Sequence, residues 1–170
     1  MGTRPRSLRS RLGDATSFTI PKERVPARIV LEDGAVVEAD LFISVAVEGI
    51  RIERPSDVLG GEPFLPVKSS DGTFRILRSA SIACLTVRAE FESGAELAAE
   101  DLAAGSTHSA KLVIGLRGGT KIEGTVVYLA PEGQRRVQDF LNQNDPCVRV
   151  RDEDLVHIVV KIHVLDVRPL

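Results

Sequence analysis

From Val37 to Val47 the chain alternates: Val37, Ala39, Leu41, Ile43, Val45 and Val47 share one phase, and Glu38, Asp40, Phe42, Ser44 and Ala46 the other. A period of two over that length predicts a strand with one buried face. The run Ile122 to Leu129 behaves in the same way. Glu32-Asp33-Gly34 and Arg117-Gly118-Gly119 separate these runs from an apolar run upstream, and both predict tight hairpin turns. Two further short strands are predicted in each of "FRILRSASIACLTV" and "LVHIVVKIHVLDV". About five strands in about sixty residues leave no room for a crossover helix, so the sheet is antiparallel. A sheet that small buries enough surface only by curling into a barrel, which also hides its edges.

The pattern is written twice. Ile29 and Leu31 match Ile114 and Leu116, and Val37, Ala39, Leu41 and Ile43 match Ile122, Gly124, Val126 and Tyr128. Arg54, Asp57 and Pro63 match Arg136, Asp139 and Pro146, and Ile82, Cys84, Leu85 and Val87 match Ile162, Val164, Leu165 and Val167. The expected class is therefore all-β: two tandem five-stranded small barrels, at 25–88 and 110–168, related as a pseudo-twofold pair. Residues 1–24 are expected to form a basic flexible tail, and 89–109 an acidic linker with a short helix capped by Ser93 and Glu96. Val30, Phe42, Val127 and Leu129 fall on the polar phase of their strands, which predicts that the repeats pack on each other or on a partner.

Composition narrows the function classes. Trp is absent and aromatics make up 4%, so the core must be aliphatic. A net charge of −2 does not mark a dedicated nucleic-acid binder. Cys84 and Cys147 sit in apolar runs and are expected as reduced, buried thiols of a cytoplasmic protein. No apolar run has the length that spans a bilayer. The preference for Arg over Lys points to a bacterial source.

Ile114-x-Leu116-x-x-Gly119-x-x-Ile122-x-Gly124-x-Val126 resembles the first motif of Sm-like proteins, small five-stranded SH3-like barrels. In that resemblance the first glycine makes the turn and the second lets the strand bend; the first repeat has Ala39 at the bend. Asp139-Phe140-Leu141-Asn142 is similar to the signature of an uncharacterised group of small bacterial domains, a likeness that carries no activity. Sm-like RNA binders continue to an Asp, a Met-Asn pair and an Arg-Gly or Lys-x-His element. Only Lys161-Ile162-His163 echoes these, and no base-stacking aromatic accompanies it.

The candidate interaction surface is Arg135, Arg136, Asp139, Phe140, Leu141, Asn142, Asn144 and Asp145, with counterparts Arg54, Asp57 and Leu59 in the first repeat. A structural account predicts Asp139 as a helix cap, Phe140 and Leu141 as a plug for the barrel end, and Asn142 in a left-handed turn where the first repeat has Gly60. Arg54 and Arg136 stand three residues before Asp57 and Asp139, placed to pair with them. The acidic and amide spacing matches no calcium loop, no Cys/His cluster has zinc spacing, and no Gly-rich loop opens a helix. The expectation is a non-enzymatic adaptor or regulatory protein–protein interaction module without cofactor or metal, its partner a protein or a second copy in a homo-oligomer. The alternatives are an RNA-associated Sm-like protein and a cyclic-dinucleotide sensor of PilZ type, the latter suggested by Arg135-Arg136.

Overall fold

The computed structural model describes residues 21–45, 53–92, 106–130 and 136–170. Among the described residues ten strands form one antiparallel sheet: β1 (Lys22–Leu31), β2 (Val36–Ser44), β3 (Phe64–Ser69), β4 (Phe74–Arg78) and β5 (Ile82–Arg88) in the N-terminal half, β6 (Ser106–Leu116), β7 (Lys121–Ala130), β8 (Cys147–Asp152), β9 (Leu155–Val160) and β10 (Val164–Pro169) in the C-terminal half. Helices are short: α1 (Pro55–Gly61), α2 (Ala89–Glu92) and α3 (Val137–Leu141).

The alternation in Val37–Ile43 and Ile122–Tyr128 is read out as expected, with Val37, Ala39, Leu41 and Ile43 buried in β2 and Ile122, Val126 and Tyr128 buried in β7. Residues 46–52, which include Ala46 and Val47 at the end of the first alternating run, lie outside the described residues. Both predicted hairpin turns form. Gly34 and Gly119 take φ of 87° and 84°, a backbone that favours glycine, and each donates its N–H across the turn, to Leu31 and Leu116. Gly124 serves a close approach: a Cβ there would overlap the Arg151 carbonyl and meet Val150 Cγ1 at 2.8 Å.

The sheet runs β10-β6-β7-β8-β9-β5-β1-β2-β3-β4. Each half thus follows the order fifth, first, second, third, fourth, and corresponding backbone hydrogen bonds recur. Glu32 donates to the Ser81 carbonyl as Arg117 does to His163, and Ser79 donates to Pro63 as Lys161 does to Pro146. These bonds make Ile82 the counterpart of Val164, and Leu85 that of Val167, two residues on from the match that sequence spacing offered.

Two separately closed barrels do not form. β5 pairs with β9, through Cys84↔Val159, Leu85↔Ile158, Thr86↔His157, Val87↔Val156 and Arg88↔Leu155, and the ten strands make one open sheet whose edges are β4 and β10. Each half would otherwise leave that edge unpaired, and joining them satisfies two edges at once. The relation is not the pseudo-twofold one expected either: a fourth strand meets a fifth, which is a head-to-tail contact.

The seam explains why β5 reads as an unbroken apolar run. Ile82, Leu85 and Val87 face a first core with Ile29, Leu41 and Val67, while Ala83 and Cys84 face a second core with Leu112, Ile114 and Val126. β9 splits the same way: Val156 and Ile158 enter the first core and Val159 the second. Val30, on the polar phase of its strand, is buried in the second core, so part of the unexpected apolar phase is spent between the halves. Phe42 stacks on Phe74 with centroids 5.9 Å apart, and Val127 is exposed.

Element bounds differ at two predicted boundaries. β1 starts at Lys22, inside the predicted tail, and β6 at Ser106, inside the predicted linker. Residues 1–20 and 93–105, with the helix expected from Ser93, lie outside the described residues.

Candidate functional site

Arg54 is extended (φ −103°, ψ 158°) and Pro55 takes the first helical position, where its missing N–H goes unneeded. Asp57 reaches back. The Arg54 N–H donates to Asp57 Oδ2 at 2.9 Å, and Nε and Nη2 of Arg54 donate to the same carboxylate at 3.1 Å. The guanidinium hydrogen bond holds the Asp57 carboxyl below its usual value, and the carboxylate raises Arg54 in turn. The expected arginine–aspartate pairing is therefore present in the N-terminal half.

Behind this pair lies a polar network that joins the halves. Glu92, at the end of α2, is only 7% exposed. Arg149 of β8 donates from Nε to Glu92 Oε1 at 2.7 Å and from Nη2 to Ser56 Oγ at 2.9 Å, and the Ser56 N–H donates to Glu92 Oε2 at 3.2 Å. A buried carboxylate is tolerated because it is paired and hydrogen-bonded. Asp145 Oδ2 stands 3.7 Å from Arg149 Nη1, and its Oδ1 accepts the Cys147 N–H at 3.0 Å. Between α1 and the start of β8 opens a cleft of about 910 Å³, lined by Arg54, Asp57, Leu59, Pro63, Asp145, Pro146, Arg149 and Val160 among others.

The predicted surface is thus divided. Arg54, Asp57 and Leu59 come together with Asp145 across the seam. Arg136, Asp139, Asn142 and Asn144 are exposed and do not line this cleft, and Arg135 lies outside the described residues. Phe140 and Leu141 pack against the second core, Phe140 stacked on Tyr128 with centroids 4.9 Å apart. Two details correct the expectation for this element. Asn142 is right-handed (φ −83°, ψ −2°), and Gly60 lies within α1 without positive φ, because both helices end in ordinary backbone. Asp139 is the third helical residue, with Arg136 at the cap and no side-chain cap bond.

Arg149, Glu92 and Ser56 were missed by sequence reading. Arg149 sits on the polar phase of an ordinary strand, and Glu92 belongs to an acidic stretch that reads as solvated. Nothing local signals that the chain will bury one against the other.

Among the described residues no group of three His, Cys, Asp or Glu is placed to hold a metal ion. Both cysteines are free thiols; burial pushes Cys84 up to about 12 and raises Cys147. Lys161 and His163, the Lys-x-His echo, are engaged internally: Lys161 Nζ donates to the Gln143 carbonyl at 2.8 Å, and buried His163 meets the Ala80 carbonyl at 2.8 Å. No described helix is long and apolar enough to cross a membrane. Comparison with protein-family models, with curated proteins and with solved structures finds no match to this chain.

Proposed function

We propose that the chain is a non-enzymatic adaptor made of two copies of an Sm-like five-strand module, fused through β5 and β9, and that it binds protein partners along the two sheet edges left open. One observation carries this reading. Of the eight exposed large hydrophobic residues among the described residues, six lie at the ends of the sheet: Phe64, Phe74 and Ile76 on β3 and β4, and Ile162, Leu165 and Leu170 at β10 and the turn before it. Backbone edges flanked by apolar side chains suit addition of a strand from another protein. In the cleft beside α1, Arg54 is held by Asp57, and Arg149 by Glu92 behind it. The test is a photo-crosslinking side chain in place of Ile76 or Leu165 in cells. Protein adducts are expected at both positions and not at Lys121, exposed in mid-sheet. RNA adducts, or none at either edge, would refute the reading.

A further inference from the structure

The two open edges are counterparts of the two strands that already meet inside the molecule. β9 stands in the C-terminal half where β4 stands in the N-terminal half: Val148 pairs with Val159 as Leu65 pairs with Leu77, and Arg149 with Ile158 as Pro66 with Ile76. Val156 and Ile158 are therefore the counterparts of Phe74 and Ile76. The first pair is buried, 3% and 0% exposed, in the core of the other half; the second pair is 66% and 73% exposed. The same holds at the far edge. Val164 and Val167 occupy the places of Ile82 and Leu85, and Leu165, 72% exposed, that of Ala83, which is 1% exposed in the opposite core. Each edge carries side chains of the kind that, one half along, fill a neighbouring core.

We infer that the occupant of β4 is β10 of a second copy of this chain, joined as β9 joins β5. This rests on the reading of the open edges as binding surfaces and names their partner. Phe74 and Ile76 would enter the second core of the next copy beside Val167, and Leu165 would enter the first core of the copy before it. Phe64 takes the place of Cys147, which packs against the first core together with Leu59 of α1, and so falls against Leu141 of α3 in the next copy. The joint is head-to-tail, so chains add one after another until the rotation closes a ring or runs on as a filament. The outer joint is weaker than the inner one. Asp166 replaces Cys84, Pro169 replaces Val87 and has no N–H to give, and Arg168 falls opposite Arg75.

The experiment is light scattering of the full-length chain over a dilution series. Wild type is expected to exceed the single-chain mass of 18.4 kDa and to return to it on dilution. Ile76→Glu and Leu165→Glu, both at exposed positions and so folding as wild type does, are each expected to stay at one chain. Mixed in equal amounts they form a two-chain complex and nothing larger, because each supplies the edge the other lacks. Wild type at one chain throughout, a mixture that stays at one chain, or loss of assembly with only one of the variants would overturn the inference. Crosslinks from position 76 to a different protein, with a purified chain that never self-associates, would sink this inference and leave the adaptor reading standing.

Discussion

Ile158 and Ile76 offer a comparison of one residue type at corresponding places in two different surroundings. Ile158 is fully buried in β9, with its side chain in the first core; Ile76 is 73% exposed in β4. Truncating Ile158 to Ala removes three carbons at about 0.8 kcal/mol each, roughly 2.4 kcal/mol of transfer free energy. The seam is built from backbone paired on both sides and relaxes little, so a residual cavity brings the total to about 3–4 kcal/mol. Ile76→Ala removes the same atoms from a side chain still largely in water, and a change within about 0.5 kcal/mol is expected. Urea unfolding at low protein concentration measures both, with the separation expected in the midpoint and not in the slope. For a chain of this size the Ile158 variant should melt roughly 10 °C lower. Equal losses at the two positions, or a negligible loss at Ile158, would show that β9 is not buried between two cores.

Arg149→Met leaves the Glu92 carboxylate buried without its cation, and a loss of about 2–3 kcal/mol is expected, below the full cost of orphaning a buried charge because Arg149 is itself partly exposed. A double-mutant cycle with Glu92→Met in chemical denaturation should show strong coupling, with the double variant more stable than Arg149→Met alone. Phe140→Ala should cost about 2–3 kcal/mol through lost contact with Tyr128 and the second core, read from thermal melts; no change would mean the ring is not packed there. Gly118→Ala should destabilise by about 1–3 kcal/mol, since its Cβ would overlap the backbone of Gly34 and force the two hairpin tips apart, whereas Gly60→Ala, in open space within α1, should stabilise by about 0.5–1 kcal/mol. Burial lowers His157 from its ordinary 6.5, so the unfolded chain takes up the proton first: its contribution is complete above that value and is lost as pH falls through the folded value. Melts of wild type and His157→Gln should therefore run parallel above about pH 6.5, and wild type should lose stability relative to the variant on acidification.

Much of the strand content was legible from residues 21–45 and 106–130 because alternation and turn glycines are local signals. A period of two shows that Leu41 and Val126 are buried, and Gly34 and Gly119 mark where the chain reverses, whatever lies beyond. The Arg54–Asp57 pair was legible for the same reason, being three residues apart on one helical turn. The edge that each strand meets was not legible. β5 looks like any two-sided apolar strand, and a barrel-closing partner within its own half satisfies that pattern as well as β9 does.

The sequence by itself determined an aliphatic, all-β chain with two similar sets of strands, since burial phase and turn chemistry are set by neighbours along the chain. Only the tertiary structure decided that these sets join fourth strand to fifth in one open sheet, that Glu92 is buried on Arg149, and that Ile76 lies bare where Ile158 is covered. Those outcomes depend on which backbone edge meets which across some seventy residues (Thr86 to His157), a choice made by the complementarity of whole surfaces and carried by no single stretch of chain.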